Sequence, residues 1–405
     1  MRHILFFVTS ILSTAIAVNL DVILEWNYVD FVWDSPQQKQ RAILSGNYNA
    51  TSCILYDVDV ARDGRIFVTS VREDGVPASL MTVTEKMGDG GPLLRPYPNW
   101  SWWNTGTCEG ITSVYRVFIK CNHLFVLDCG KIGADKVCPA QLLIFDLSSD
   151  TLVKRIVIPD DVAANENGAS LLTALTVSIS TCSNFQNNMV VFMSDTAGFG
   201  LVIYNAHSSG SKFCRIESDS MKATDTNFTI DNQSFTLHDG ILGLTLVYED
   251  LYYAPLAGRN MYKMNSMKIR ECLLSQAKIN QITQLTGTLS GQTAAIASQD
   301  CAIFFSNIPE TSILCADTSK KIDYNNTDVI AKDSVKLQFA SGMKVIEGTR
   351  HNGGKSSADN SLTILTNRYQ RYITDTLDLN EINFRILSAN MSEIQNETHC
   401  FDSCT

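Results

Sequence analysis

Short apolar runs recur along this chain at nearly even intervals, and that spacing limits the fold more tightly than any motif does. The cores of six such runs lie at 66–69, 124–127, 190–193, 251–254, 303–306 and 362–365. Their starts are separated by 58, 66, 61, 52 and 59 residues. Each run is followed by a second one, beginning at Ser79, Leu142, Gly200, Met261, Ser312 and Phe384. Most are also preceded by another, as at Ile54, Asp239 and Gly291. Short apolar runs bounded by turn residues read as buried strands. The segment 119–149 shows the unit most clearly. It has a strand at 123–128, a polar turn region with Gly130 and Gly133, a second strand at 141–147, and a third run upstream at 110–119. Three or four antiparallel strands repeated six times predict an all-β chain folded as a six-bladed β-propeller. The competing arrangement is a pair of β-sandwiches whose strand spacing is accidental.

Residues 1–17 carry the basic Arg2, the apolar stretch ILFFVTSIL and a small-x-small end at Ala15-Ile16-Ala17. This is the pattern of a secretory signal peptide. The apolar run is too short for a membrane anchor, and Asn19 and Asp21 follow at once. With no other stretch of transmembrane length, the expected product is residues 18–405, exported and folded as one propeller domain with no membrane partner. The formal net charge is -10, or -11 without Arg2. Such acidity argues against nucleic acid or anionic membranes as partners.

Twelve cysteines behind an export signal, with no CxxC pair or Cys/His metal spacing, read as disulfides. Their pairing does not follow from the sequence, although Cys400 and Cys404 are placed to tie the terminal strand to an earlier blade. Seven N-x-S/T sequons, at Asn49, Asn99, Asn227, Asn232, Asn325, Asn390 and Asn396, are candidate N-glycosylation sites on the surface.

Residues 20–33 are apolar and aromatic and are expected to form a strand that joins the last blade and closes the ring. Asp34-Ser35-Pro36 then signals a helix entry, with Gly46 as its stop. Asp57, Asp59 and Asp63 lack calcium-loop spacing, and Val68 stands where the bidentate glutamate belongs. His123, His207, His238, His351 and His399 form no HExxH or close ligand spacing, and GxSxG is absent. MGDGGP at 87–92 reads as a turn and not a phosphate cradle, because no lysine and hydroxyl follow and Pro92 lacks an N–H. Trp100, Trp102 and Trp103 read as blade packing or a loop anchor. These patterns give no cofactor, no metal and no catalytic residue, and they leave the oligomeric state open.

Several longer segments resemble the major royal jelly protein and yellow family of insects, nearer its royal jelly branch. They include DSPQQKQRAILSGNY from Asp34, DGVPASL from Asp74, GGPLLRPYPNWSWW from Gly90, CEGITSVYRVFI from Cys108, HLFVLDCG from His123, LHDGILGLTL from Leu237, LYYAPLAG from Leu251 and NFRILSANMSE from Asn383. The resemblance runs from about Trp26 to Cys400 and implies the same six-bladed propeller. It also implies disulfides Cys121 to Cys182, Cys315 to Cys400 and Cys108 to Cys138. The chain departs from the family at Lys120, His123 and Phe125, where Asp, Arg and Trp are usual, and at Cys315-Ala316-Asp317, where Cys-Trp-Asn is usual. Cys53, Cys129, Cys214, Cys272, Cys301 and Cys404 fall outside the commonly shared set.

Functionally, the resemblance implies a secreted, non-enzymatic glandular protein of larval food, venom or saliva. Some salivary members of blood-feeding insects bind biogenic amines in the central channel. Their threonine resembles Ser341, and their Asn-x-Phe resembles Asn367 and Tyr369. A hydroxyl, an amide and an aromatic face would hold a protonated arylamine. Gly342 replaces the acidic residue expected beside the threonine, and Arg368 adds a cation. One alternative is therefore a carrier of a small amine or sterol. Another, from the enzyme class, is the dopachrome-converting activity attributed to some yellow relatives. A metal-dependent lactonase would need carboxylates and asparagines from several blades to converge, and Asp128, Asp195 and Asn307 follow inner-strand candidates. The chain ends at Thr405 without the repetitive nitrogen-rich tail of some royal jelly members, which lowers the expectation of a pure storage role.

Overall fold

The computed structural model describes residues 18–103, 107–206, 210–348 and 359–404. The expected signal peptide at 1–17, with His207 and His351, lies outside these residues. Six four-stranded antiparallel sheets form the blades of a propeller. Their inner strands, Leu55–Val60, Val114–Lys120, Leu172–Ile179, Ile241–Val247, Ile296–Gln299 and Phe339–Ile346, meet their neighbours around the ring, and the sixth meets the first.

The six evenly spaced run cores are the second strands of the blades, and the runs after them are the third strands. Second strands such as Met189–Asp195 and Ala302–Asn307 are buried along their whole length. Neighbouring blades cover both faces of these strands, so they read as continuous apolar runs without polar alternation. The core accordingly consists of clusters between blades, such as the one joining Leu142, Leu175 and Val191.

The N-terminal strand Asp21–Trp26 pairs with Phe384–Asn390 and becomes the outer strand of blade six. Trp26 is buried there, and its indole N–H donates to the Pro92 carbonyl at 2.7 Å. This contact joins the closing strand to blade one. Ser35 caps the helix Pro36–Leu44, accepting from the Gln38 N–H, and Gly46 beyond it adopts φ +74°.

Five disulfides reinforce the ring. Cys121–Cys182 joins blade two to the segment entering the second strand of blade three, and Cys108–Cys138 lies within blade two. Cys214–Cys272 links the outer strand of blade three to blade four. Cys301–Cys404 and Cys315–Cys400 strap the segment after the last helix, Met391–Glu397, onto blade five. The expectation that all twelve cysteines pair needs correction: Cys53 and Cys129 are buried free thiols. Cys53 sits in the blade-one core with its sulfur 3.7 Å from the Gly75 carbonyl.

Two local readings also change. The run at 110–119 becomes strand only from Val114, because the Asp128 carboxylate captures the N–H groups of Thr112 and Ser113. The turn of MGDGGP joins strands Leu80–Gly88 and Gly91–Pro96, with Gly91 at φ +129°. The tryptophans form a 3-10 turn, Trp100–Trp103, in which Trp100 stacks on Trp33 at 4.8 Å and donates to the Val32 carbonyl.

Candidate functional site

In five of the six blades the pairing of the inner strand with its neighbour is interrupted near the start of the inner strand. The interruption falls at Tyr56, at Tyr115 and Arg116, and at Thr173, Leu242 and Ser341. A bulge kinks the strand and re-aims the side chain it carries. Because inner strands all run the same way along the channel, these bulges gather at one mouth.

Ser341 and Asn367 meet at this mouth. The Asn367 amide donates to the Ser341 hydroxyl at 3.1 Å and to the Leu55 carbonyl of blade one at 2.8 Å. Both residues are buried, and the Asn367 Oδ1 has no hydrogen-bond partner among the described residues. Tyr369 is half-buried in an aromatic group, with ring centroids 5.0 Å from Phe339, 5.6 Å from Phe235 and 6.3 Å from Tyr56. Tyr56 in turn lies 5.7 Å from Tyr115. Burial raises the pKa of Tyr56, Tyr115 and Tyr369, so their hydroxyls stay protonated. Arg368 is paired with Glu381 and so adds no free charge.

Arg116 was not among the residues singled out from the sequence. Lifted by its bulge, it crosses the channel from blade two, and one nitrogen donates to the carbonyls of Ala294 in blade five at 3.0 Å and Ser341 in blade six at 2.6 Å. On the neighbouring inner strand, Asp57 binds Lys344 and accepts from the Val117 N–H. Asp59 accepts from the Ile119 N–H, and burial raises its pKa to about 7. The lumen is thus barred by ionic side chains below the tyrosines. Gly342 is needed here: a Cβ would stand 2.8 Å from the Asp57 Cα. An acidic side chain at this position would therefore displace the blade-one strand.

Above the mouth lies a hairpin, Asn227–Ile230 with Gln233–Thr236, inserted between blades three and four. Phe235 packs against Tyr369, and Gln233 hydrogen-bonds Thr374 and Thr376 of the blade-six connection. The rim also carries Glu73, which accepts from the Tyr372 hydroxyl at 2.7 Å, and the half-buried Asp239, whose pKa burial raises.

Asp128, Asp195 and Asn307 do not converge on a ligand position. The Asp128 carboxylate accepts from Thr112, Ser113, Gly130 and Gln141. Asp195 accepts from Leu171 and Gly198 and binds Arg215, while Asn307 bonds Ser290 and Glu310. Each side chain fastens a blade's incoming loop. Among the described residues no group of three His, Cys, Asp or Glu could hold a metal ion. No described helix is long and apolar enough to cross a membrane. The seven sequon asparagines are all exposed, with Asn227 and Asn232 on the hairpin over the mouth.

Residues 112–400 match the family model described as major royal jelly protein. Among similar chains, major royal jelly protein 9 of Apis mellifera is 36% identical, covering 93% of this chain and 89% of its own. Major royal jelly protein 8 of the same species is 37% identical, covering 97% and 95%. Major royal jelly protein 7 is 36% identical, covering 94% and 87%.

Proposed function

This chain belongs to the major royal jelly protein family, and from that premise we propose that it is a secreted, non-enzymatic glandular protein, a component of larval food, venom or saliva. The observation that carries this reading is the set of five disulfides, which straps blades to one another and the C-terminal segment to blade five. Such bonds form and persist in oxidising compartments. The exposed sequons agree with passage through the secretory route, and the internal bonding of Asp128, Asp195 and Asn307 favours a structural role for residues that a catalyst would keep free. Expression of the full chain in insect cells tests it. The protein should leave the cell, begin at Val18 and carry N-linked glycans. Retention in the cell with Met1 in place would contradict it.

One observation favours a second reading, a carrier that holds a small ligand at the channel mouth. Asn367 keeps a buried acceptor without a partner beside Ser341 and the tyrosine rings. Such an orphan is costly unless a donor is supplied, and a ligand can supply one. Biogenic amines and sterols are the classes to try first. Calorimetry against serotonin, dopamine, histamine and a sterol panel should show saturable binding that Asn367→Ala removes; no heat at high ligand concentration would return the protein to a nutritive or structural role.

A further inference from the structure

Building on the carrier reading, we infer that Arg116 makes the channel mouth a site for a small aromatic carboxylate, with the acid oxygens on the guanidinium and the ring against Tyr56, Tyr115 and Tyr369. Only one guanidinium nitrogen of Arg116 is committed, to the Ala294 and Ser341 carbonyls. Its Nε and second terminal nitrogen donate to no acceptor among the described residues, although the side chain is about nine-tenths buried. These nitrogens are not among the fully buried polar atoms, so the uncommitted face of the guanidinium stays open to an acceptor entering the channel.

The neighbouring acid does not fill that need. Asp57 is the charge that acts on Arg116, yet both its oxygens are held by Lys344 at 2.8 Å. A carboxylate offers Arg the strongest match, two oxygens against a planar fork.

The remaining groups fix the rest of the ligand. Arg116 touches the Ser341 carbonyl, and Asn367 touches the Ser341 hydroxyl, so the guanidinium and the orphaned Asn367 Oδ1 converge on one residue. An O–H or N–H on the ring would satisfy that oxygen. Tyr56, Tyr115 and Tyr369 are half-buried, so solvent still reaches the rings. A protonated amine in the same place would instead face a fixed cation. The rim carboxylates, Glu73 and Asp239, leave the negative side of the site outside and the positive side within.

Three probes sharing one ring separate these possibilities: 4-hydroxyphenylacetate, tyramine and 4-ethylphenol, titrated calorimetrically into the full-length secreted protein. The carboxylate is expected to bind about tenfold or more tightly than tyramine, the scale of one charge-assisted hydrogen bond. Arg116→Gln should remove that preference, and Arg116→Lys, which keeps the charge without the planar fork, should weaken it. Thermal unfolding of each variant checks that the ring is intact, and if Arg116→Gln does not fold, Arg116→Lys and the probe ranking on the unaltered protein decide alone. Tyramine binding as tightly as the acid, or a preference for the acid that survives in a folded Arg116→Gln, overturns this inference and leaves the carrier reading standing. Failure of all three probes, together with the amine and sterol panel, overturns both.

Discussion

Asp57 of blade one and Lys344 of blade six hold each other across the seam where the ring closes, with Nζ 2.8 Å from both carboxylate oxygens. The Asp57 side chain is fully buried and that of Lys344 nearly so. Breaking such a pair from one side strands a charge in the interior, which costs about 3–5 kcal/mol. Lys344→Ala should therefore lower unfolding stability by that order. The double variant Asp57→Asn, Lys344→Met should recover much of the loss. Urea unfolding followed by tryptophan fluorescence measures both, and an equal loss in the two variants would show that shape, not charge, sets the cost.

The cysteines divide into ten that are bridged and two that are hidden. Burial pushes the Cys129 thiol up to about 12 and raises Cys53 further. Neither should react with a thiol reagent in the native protein, since the thiolate is the reactive form. Two thiols should appear on denaturation without reductant. Fast labelling of either residue in the folded protein would contradict the packing.

Asp59 gives the protein a pH dependence with a definite sign. Burial raises its folded pKa to about 7, with Lys344 opposing and Asp57 adding to the rise. The folded state therefore holds this proton more tightly than the unfolded chain does, whose carboxylates titrate near about 4. Its contribution is fully present below about pH 4 and is lost as pH rises through about pH 7. Asp59→Asn keeps an acceptor for the Ile119 N–H and removes the ionisation. The variant should be more stable than the parent at about pH 8, with the difference shrinking toward about pH 4. Parallel urea midpoints at the two pH values would show it; a gap independent of pH would refute the assignment.

Gly342 sits where two inner strands touch, and any Cβ there meets the Asp57 backbone at 2.8 Å. Overpacking of this kind costs about 1–3 kcal/mol. Gly342→Ala should lower the thermal midpoint accordingly. An unchanged midpoint would mean that the inner strands move apart freely at this seam.

The second and third strands of each blade were legible because neighbouring blades bury both faces and leave continuous apolar runs such as MVVFMSD. Most outer strands were not. Gln284–Thr288 and Thr151–Val157 are edge strands with exposed positions, and QLTGT or TLVKRIV carries too little contrast to stand out. The closing strand was legible through its aromatic content, since Trp26 must be covered. At the mouth, resemblance led to Ser341, Asn367 and Tyr369, and the structure places all three at one end of the channel. Arg116 was invisible because a bulge decides its direction, and a bulge leaves no mark in the pattern of VYRVFIK. Asp128 and Asp195 follow their strands as ordinary turn residues do, and the structure uses them to fasten the loops that enter the blades.

If the proposed non-enzymatic role holds, the protein leaves dopachrome untouched. The purified protein, with its five disulfides intact, is mixed with dopachrome and the decay of its colour is followed against a blank. The decay should run at the blank rate at every protein concentration. A saturable acceleration that disappears in Arg116→Gln would place catalysis at the channel mouth and contradict it.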